Sequence, residues 1–94
     1  MTIDKLIENG KDISKDKIYY CLNYPPSDLK SSMILDFSNK IWYANGNTQF
    51  LDNKGNFDFC YDAVKTCVGS EDWLIYEITE AEKSKLLMIQ EMLK

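Results

Sequence analysis

Histidine and arginine are both missing from this chain of 94 residues, and all eleven of its basic residues are lysine. Without histidine there is no ordinary general base near neutral pH, and no Ser-His, Cys-His or His-metal arrangement. Without arginine there is no planar fork for a bidentate grip on phosphate or guanine. The net charge of −4 repels a nucleic-acid backbone, so no direct nucleic-acid partner is expected. No apolar run approaches the roughly 20 residues that cross a bilayer, so no membrane partner is expected either. Met1-Thr2-Ile3-Asp4-Lys5 lacks the basic-then-apolar layout of a signal peptide, which predicts a cytoplasmic protein.

Cysteine is sparse and odd in number: Cys21, Cys60 and Cys67, none in a CxxC pair. That pattern predicts reduced, partly buried thiols rather than a disulfide framework. Three scattered cysteines with no histidine fall short of the four ligands of a structural zinc site, and neither metal nor cofactor is expected. A cysteine nucleophile needs its pKa depressed by a nearby cation or metal, and no histidine is there to do it. Catalysis is therefore not expected.

What remains is an ordinary globular composition, 45% hydrophobic and 28% charged, enough for one small domain over residues 1–94. Aromatics reach 13%, and large rings help a short chain fill a thin core.

Spacing predicts an α+β fold. Ile3, Leu6 and Ile7 share a helical face, with Thr2 as cap and Gly10 as stop, predicting a short N-terminal helix over 3–9. Residues 18–24 are β-branched and aromatic, with Ile18, Tyr20, Leu22 and Tyr24 on one face, and Pro25-Pro26 ends that strand. A polar loop is expected over 27–32. A meander follows: 33–37, a turn at Ser38-Asn39, 41–44, a hairpin turn at Asn45-Gly46, 48–51, a turn over 52–55, and Phe57-Asp58-Phe59 leading out. Residues 61–68 suit a short helix and 73–78 a strand. Thr79 and Glu82 form a capping box for a C-terminal helix with Leu86, Ile89 and Leu93 on its apolar face. The expected architecture is an antiparallel sheet of about four to six strands with its helices packed on one face.

Few motifs suggest chemistry. The stretch from Asp52 to Asp58 does not fit a calcium loop, because Gly55 stands fourth and position twelve is Ala63. A turn is the expected reading. Glu71 and Asp72 are adjacent and expected to be solvated. Asp58 and Asp62 share a helical face, and Asp58 suits a helix N-terminus. The aromatics outnumber what one thin core needs. The surplus set Tyr19, Trp42 and Tyr43, with Tyr24 nearby, is either further core, a partner surface or a homodimer face.

One resemblance rests on the ends of the chain. Leu6-Ile7-Glu8-Asn9-Gly10-Lys11, the sheet, and Glu71-Asp72-Trp73-Leu74-Ile75-Tyr76-Glu77 look like the small phage proteins of the Thoeris anti-defence two type. The resemblance implies an oligomeric sponge that sequesters signalling nucleotides. This chain departs from that pattern in lacking an early basic-aromatic segment and in adding the helix from Thr79. No pocket residue of that family is carried over.

Small size, acidity and surplus aromatics point to a non-enzymatic protein-binding module. The profile is that of phage or mobile-element inhibitors and adaptors: anti-defence proteins such as anti-CRISPR inhibitors, or toxin-immunity proteins. The partner is expected to be another protein with a basic surface, with a homo-oligomer as an open second arrangement. The expected contact residues are Tyr19, Tyr24, Trp42, Tyr43, Asp52, Asp58, Glu71 and Asp72. The alternative is a nucleotide sponge in which Lys5, Lys11, Lys17 or Lys40 meets the phosphates.

Overall fold

Two apolar sets alternate along Ile18–Asn23, and each finds its own helix. The computed structural model describes residues 5–7, 13–23, 32–44, 47–51, 55–68 and 72–92. Within them lie β1 (Lys5–Ile7), β2 (Ile18–Asn23), β3 (Met33–Asp36), β4 (Ile41–Ala44), β5 (Asn47–Phe50), α1 (Asn56–Cys67), β6 (Trp73–Ile78) and α2 (Glu80–Met92). The strands form one six-stranded sheet in the order β1-β6-β2-β3-β4-β5. Every pairing is antiparallel.

Side chains on a strand alternate between faces, so register decides which helix each residue meets. Tyr19 and Cys21 pair in register with Leu35, Met33 and Ile75 and face α1. Ile18 and Tyr20 pair with Ile78, Ile34 and Tyr76 and face α2. Cys60, Val64 and Val68 close the first core, and Leu86 closes the second. The helices thus cover opposite faces of the sheet, where one shared face was expected. The physical reason is that β2, β3 and β6 are apolar on both sides, and one helix can dry only one of them.

The N-terminal helix is not formed. Lys5–Ile7 is instead an edge strand, with Lys5 opposite Glu77, Leu6 opposite Tyr76 and Ile7 opposite Ile75. A helix of two turns is marginal by itself. Pairing with β6 satisfies the backbone and buries Ile7 beside Ile75 in the α1-side core. Its expected caps, Thr2 and Gly10, lie outside the described residues, as does the loop over 27–31.

Helix α1 starts five residues earlier than expected and takes in Phe57-Asp58-Phe59, expected only to lead out of the turn over 52–55. Gly55 stands at its N-cap with φ of 87°, a left-handed value that glycine adopts without strain. The Phe59 amide then bonds the Gly55 carbonyl at 2.9 Å. Phe57 and Tyr61 place their rings 5.3 and 5.6 Å from Phe37, which also packs on Tyr19 at 5.9 Å. That aromatic group holds α1 to the sheet.

The capping box forms as expected. The Glu82 amide donates to Thr79 Oγ1 at 3.1 Å, and the Thr79 amide donates to Glu82 Oε1 at 2.9 Å. A second anchor fixes α2. Asp36, fully buried at the end of β3, accepts from Lys83 Nζ at 2.7 Å, Ser38 Oγ at 2.5 Å, and the Asn39 amide and Nδ2 at 3.0 and 2.9 Å. Lys83 also meets Glu80 Oε2 at 3.0 Å. β4 and β5 pair with Ala44 opposite Asn47, the register of a two-residue hairpin, and residues 45–46 lie outside the described set. No helix among the described residues is long and apolar enough to cross a membrane.

Candidate functional site

The α1-side core is not filled along its whole length. Between α1 and the sheet lies a cleft of about 270 Å³. Cys21, Met33, Leu35, Trp42, Trp73 and Ile75 form its floor and ends, and Phe59, Cys60, Ala63, Val64 and Cys67 descend from the helix. Each residue is there for a local reason. Met33, Leu35 and Trp42 share the α1 face because Leu35 is opposite Trp42. Cys21 is opposite both Met33 and Ile75. On α1, positions 60, 63, 64 and 67 recur every three to four residues and so fall on one stripe.

Among the described residues the lining has no charged residue and almost no polar atom to offer. Phe59 stands at the mouth, 72% exposed. The indole N–H of Trp42 is buried and has no hydrogen-bond partner. Trp42 also walls a smaller recess of about 120 Å³ over the β4–β5 hairpin, shared with Ala44, Asn47 and Gln49.

All three cysteines line this one cleft as free thiols. Burial raises the pKa of each, with the Cys67 side chain adding to the effect on Cys21. They are therefore held as neutral thiols, which behave as small apolar groups. Among the described residues no group of three or more His, Cys, Asp or Glu is arranged to hold a metal ion.

The expected contact residues are scattered by this geometry. Tyr19 is fully buried, accepts a hydrogen bond from the Ser14 amide at 2.7 Å, and is a core residue rather than a surface one. Burial outweighs that bond and pushes its hydroxyl up to about 12. Trp42 lies on the cleft. Tyr43 faces the other way, packed in the α2-side cluster with Lys83 Nζ 5.9 Å from its ring. Asp58 is exposed in the first turn of α1, as expected, where Lys15 Nζ sits 3.5 Å from its carboxylate. Asp72 is exposed in the turn before Trp73. Tyr24, Asp52 and Glu71 lie outside the described residues. Lys5, Lys17 and Lys40 do not line the cleft, and Lys17 pairs with Glu77 at 3.1 Å. Lys11 lies outside the described residues.

Phe59, Ala63, Cys67, Met33 and Trp73 were not nominated from sequence. A signal for the helical ones exists. Phe57, Cys60, Tyr61, Val64, Cys67 and Val68 recur at alternating three and four, which marks one continuous helix from Asn56. No family model, no curated protein and no solved structure matches the chain.

Proposed function

We propose that this chain is a non-enzymatic protein-binding module, an inhibitor or adaptor, and that its partner seats an apolar anchor side chain in the cleft between α1 and the sheet. The observation that carries the reading is the cleft itself: about 270 Å³, apolar along all its described lining, with the exposed Phe59 at its mouth. The chemistry of its lining decides between occupants. Sites for drug-sized ligands run from about 300 to 1,000 Å³ and carry convergent polar groups. This one lies at the lower end of that range, and its described lining converges no polar groups. It matches the pocket that takes a single buried anchor at a protein interface, ringed by contacts that exclude water. The net charge of −4 favours a basic partner and speeds its approach.

The nucleotide-sponge reading draws less support, because among the described residues no lysine lines the cleft to meet a phosphate. The phage anti-defence or toxin-immunity setting stays a proposal that rests on size and acidity.

The test uses Ala63, which is exposed on α1 yet lines the cleft. Ala63→Trp plugs the cleft without cutting into the core. Affinity capture from host lysate with the native chain yields a stoichiometric protein partner. Ala63→Trp loses it, and Lys85→Ala on α2 keeps it. A partner captured equally by Ala63→Trp overturns the cleft as the binding element. A nucleotide co-purifying with the native chain, and no protein, overturns the protein-binding reading.

A further inference from the structure

The sheet ends at β5, and among the described residues no strand covers that end. β5 has β4 on one side and, among the described residues, no strand on the other. Natural proteins protect such edges with lysine, proline, a bulge or a covering element. Asn47-Thr48-Gln49-Phe50 carries no charge and no proline, and all four residues are exposed, Phe50 at 68%.

Register shows which backbone groups are on offer. Ala44 and Asn47 close the β4–β5 ladder, and the Leu51 amide bonds the Lys40 carbonyl at 2.8 Å. Main-chain groups in an antiparallel pair alternate inward and outward. Residues 47, 49 and 51 therefore bond β4, and Thr48 and Phe50 turn outward. The Phe50 carbonyl accepts from Asn56 Nδ2 at 3.1 Å. The edge thus presents the Thr48 N–H, the Thr48 carbonyl and the Phe50 N–H in a row.

On the α1 face, the same edge borders the small recess formed by Trp42, Ala44, Asn47 and Gln49. Trp42 is the shared wall between that recess and the apolar cleft. A strand added to β5 would lie about 5 Å beyond it, with alternate side chains leaning over the recess. A long side chain is needed to cross β5 and reach the indole.

We infer that the protein partner adds an extended segment to the β5 edge, antiparallel and hydrogen-bonded to Thr48 and Phe50, with a lysine or arginine lying across Gln49 toward the Trp42 ring. This inference rests on the protein-binding reading and names how the partner docks. Main-chain bonds give the attachment, and the recess and cleft give the choice of side chains. A cation suits the site because the recess is lined by amide groups and an indole face, and the chain as a whole is acidic. A second copy of the chain fits less well. Two-fold pairing of β5 with itself keeps like faces together, so the copy's Phe50 lands on the α2 side and leaves the cleft empty. It also joins two chains of charge −4.

The experiment selects binders from a display library of random short peptides on the intact protein, then measures their affinity for variants. Thr48→Pro deletes one outward N–H at an edge position that tolerates proline. Thr48→Val keeps that N–H. Selected peptides bind Thr48→Val as they bind the native chain, and bind Thr48→Pro at least tenfold more weakly. Hydrogen exchange at the Thr48 and Phe50 amides of the native chain slows when peptide is added, a readout that survives if the proline variant fails to fold. Peptides that bind with no slowing at those amides overturn strand addition and leave the protein-binding reading standing. Slowing in the free protein that grows with its concentration overturns it in favour of a second copy. A library that yields no binder, with host capture also empty, sinks both readings together.

Discussion

Trp42 and Tyr43 are neighbours on β4 and face opposite sides of the sheet: Trp42 walls the cleft under α1, and Tyr43 packs against the α2-side cluster that holds Ile34. Leu35 opposite Trp42 and Ile34 opposite Tyr43 fix that division. One partner surface cannot use both rings through the sheet, so the aromatic pair that reads as a unit in sequence has two separate jobs. Trp42 belongs to the cleft, and Tyr43 to the cluster under α2.

From that division, Trp42→Ala weakens partner binding at least tenfold, and Tyr43→Ala leaves affinity unchanged while lowering stability. Trp42→Phe costs less than about 1.5 kcal/mol of stability, because it roughly conserves shape. It also removes a buried N–H that has no partner to lose. Urea denaturation and a binding isotherm on the same three variants check both statements.

The buried Asp36–Lys83 pair predicts a pH response with a definite sign. Burial disfavours the Asp36 carboxylate, but Lys83, Ser38 and Asn39 outweigh it and hold its pKa below the usual range. Its contribution is therefore present above about pH 4, the unfolded value, and is lost as pH falls through the lower folded value. Burial likewise opposes the charge on Lys83, and Asp36 and Glu80 outweigh it and raise its pKa. That contribution is complete below about pH 10.4 and is lost as pH rises through the higher folded value. Asp36→Ala leaves Lys83 with the exposed Glu80 alone, takes the acceptor from Ser38 and Asn39, and costs about 3 kcal/mol. Denaturant midpoints measured against pH show the acid limb of the native profile, and Asp36→Ala flattens it.

Much of this was legible in the sequence, and the parts that were not share a cause. The strands at 18–23, 33–36, 41–44 and 73–78 follow from β-branched and aromatic runs bounded by turn residues, and the α2 cap follows from Thr79 and Glu82. Those signals are local. The segment Lys5–Ile7 has helical spacing, yet its state is set by the open edge of β6, some seventy residues away. The two-sided packing also depends on distant register: Tyr19 is a surface candidate by spacing and a core residue once α1 closes over it. The cleft was illegible for the same reason, since its walls come from β2, β3, β4, β6 and α1 together. Only the continuous three-four spacing from Phe57 to Val68 offered an early sign of its helical wall.

The cap itself gives a calibrated check on α2. Thr79→Ala removes the acceptor for the Glu82 amide and keeps the backbone N–H that bonds the Glu82 side chain, so half of the box is lost. The expected loss is about 1 kcal/mol. Thermal denaturation by circular dichroism measures it, and Thr79→Ser restores most of the difference.

Plugging the cleft separates packing from recognition. Ala63→Trp adds a ring at an exposed helical position and leaves the buried stripe Cys60 and Val64 in place. Its stability stays within about 1 kcal/mol of the native chain, as for most surface substitutions. Its affinity for the captured partner falls at least tenfold, which a melting curve and a titration read together.

The most direct test of the central claim is the rate at which a thiol reagent labels Cys67 and Cys60 with and without partner. Both thiols face the cleft, Cys67 is the more accessible of the two, and Cys21 lies buried beneath them. In the free protein the order of labelling is Cys67, then Cys60, then Cys21. If a partner side chain fills the cleft, adding the captured partner at saturation slows Cys67 and Cys60 at least tenfold. Labelling of Cys67 that proceeds at the free rate in the saturated complex contradicts the account and places the binding surface elsewhere on the chain.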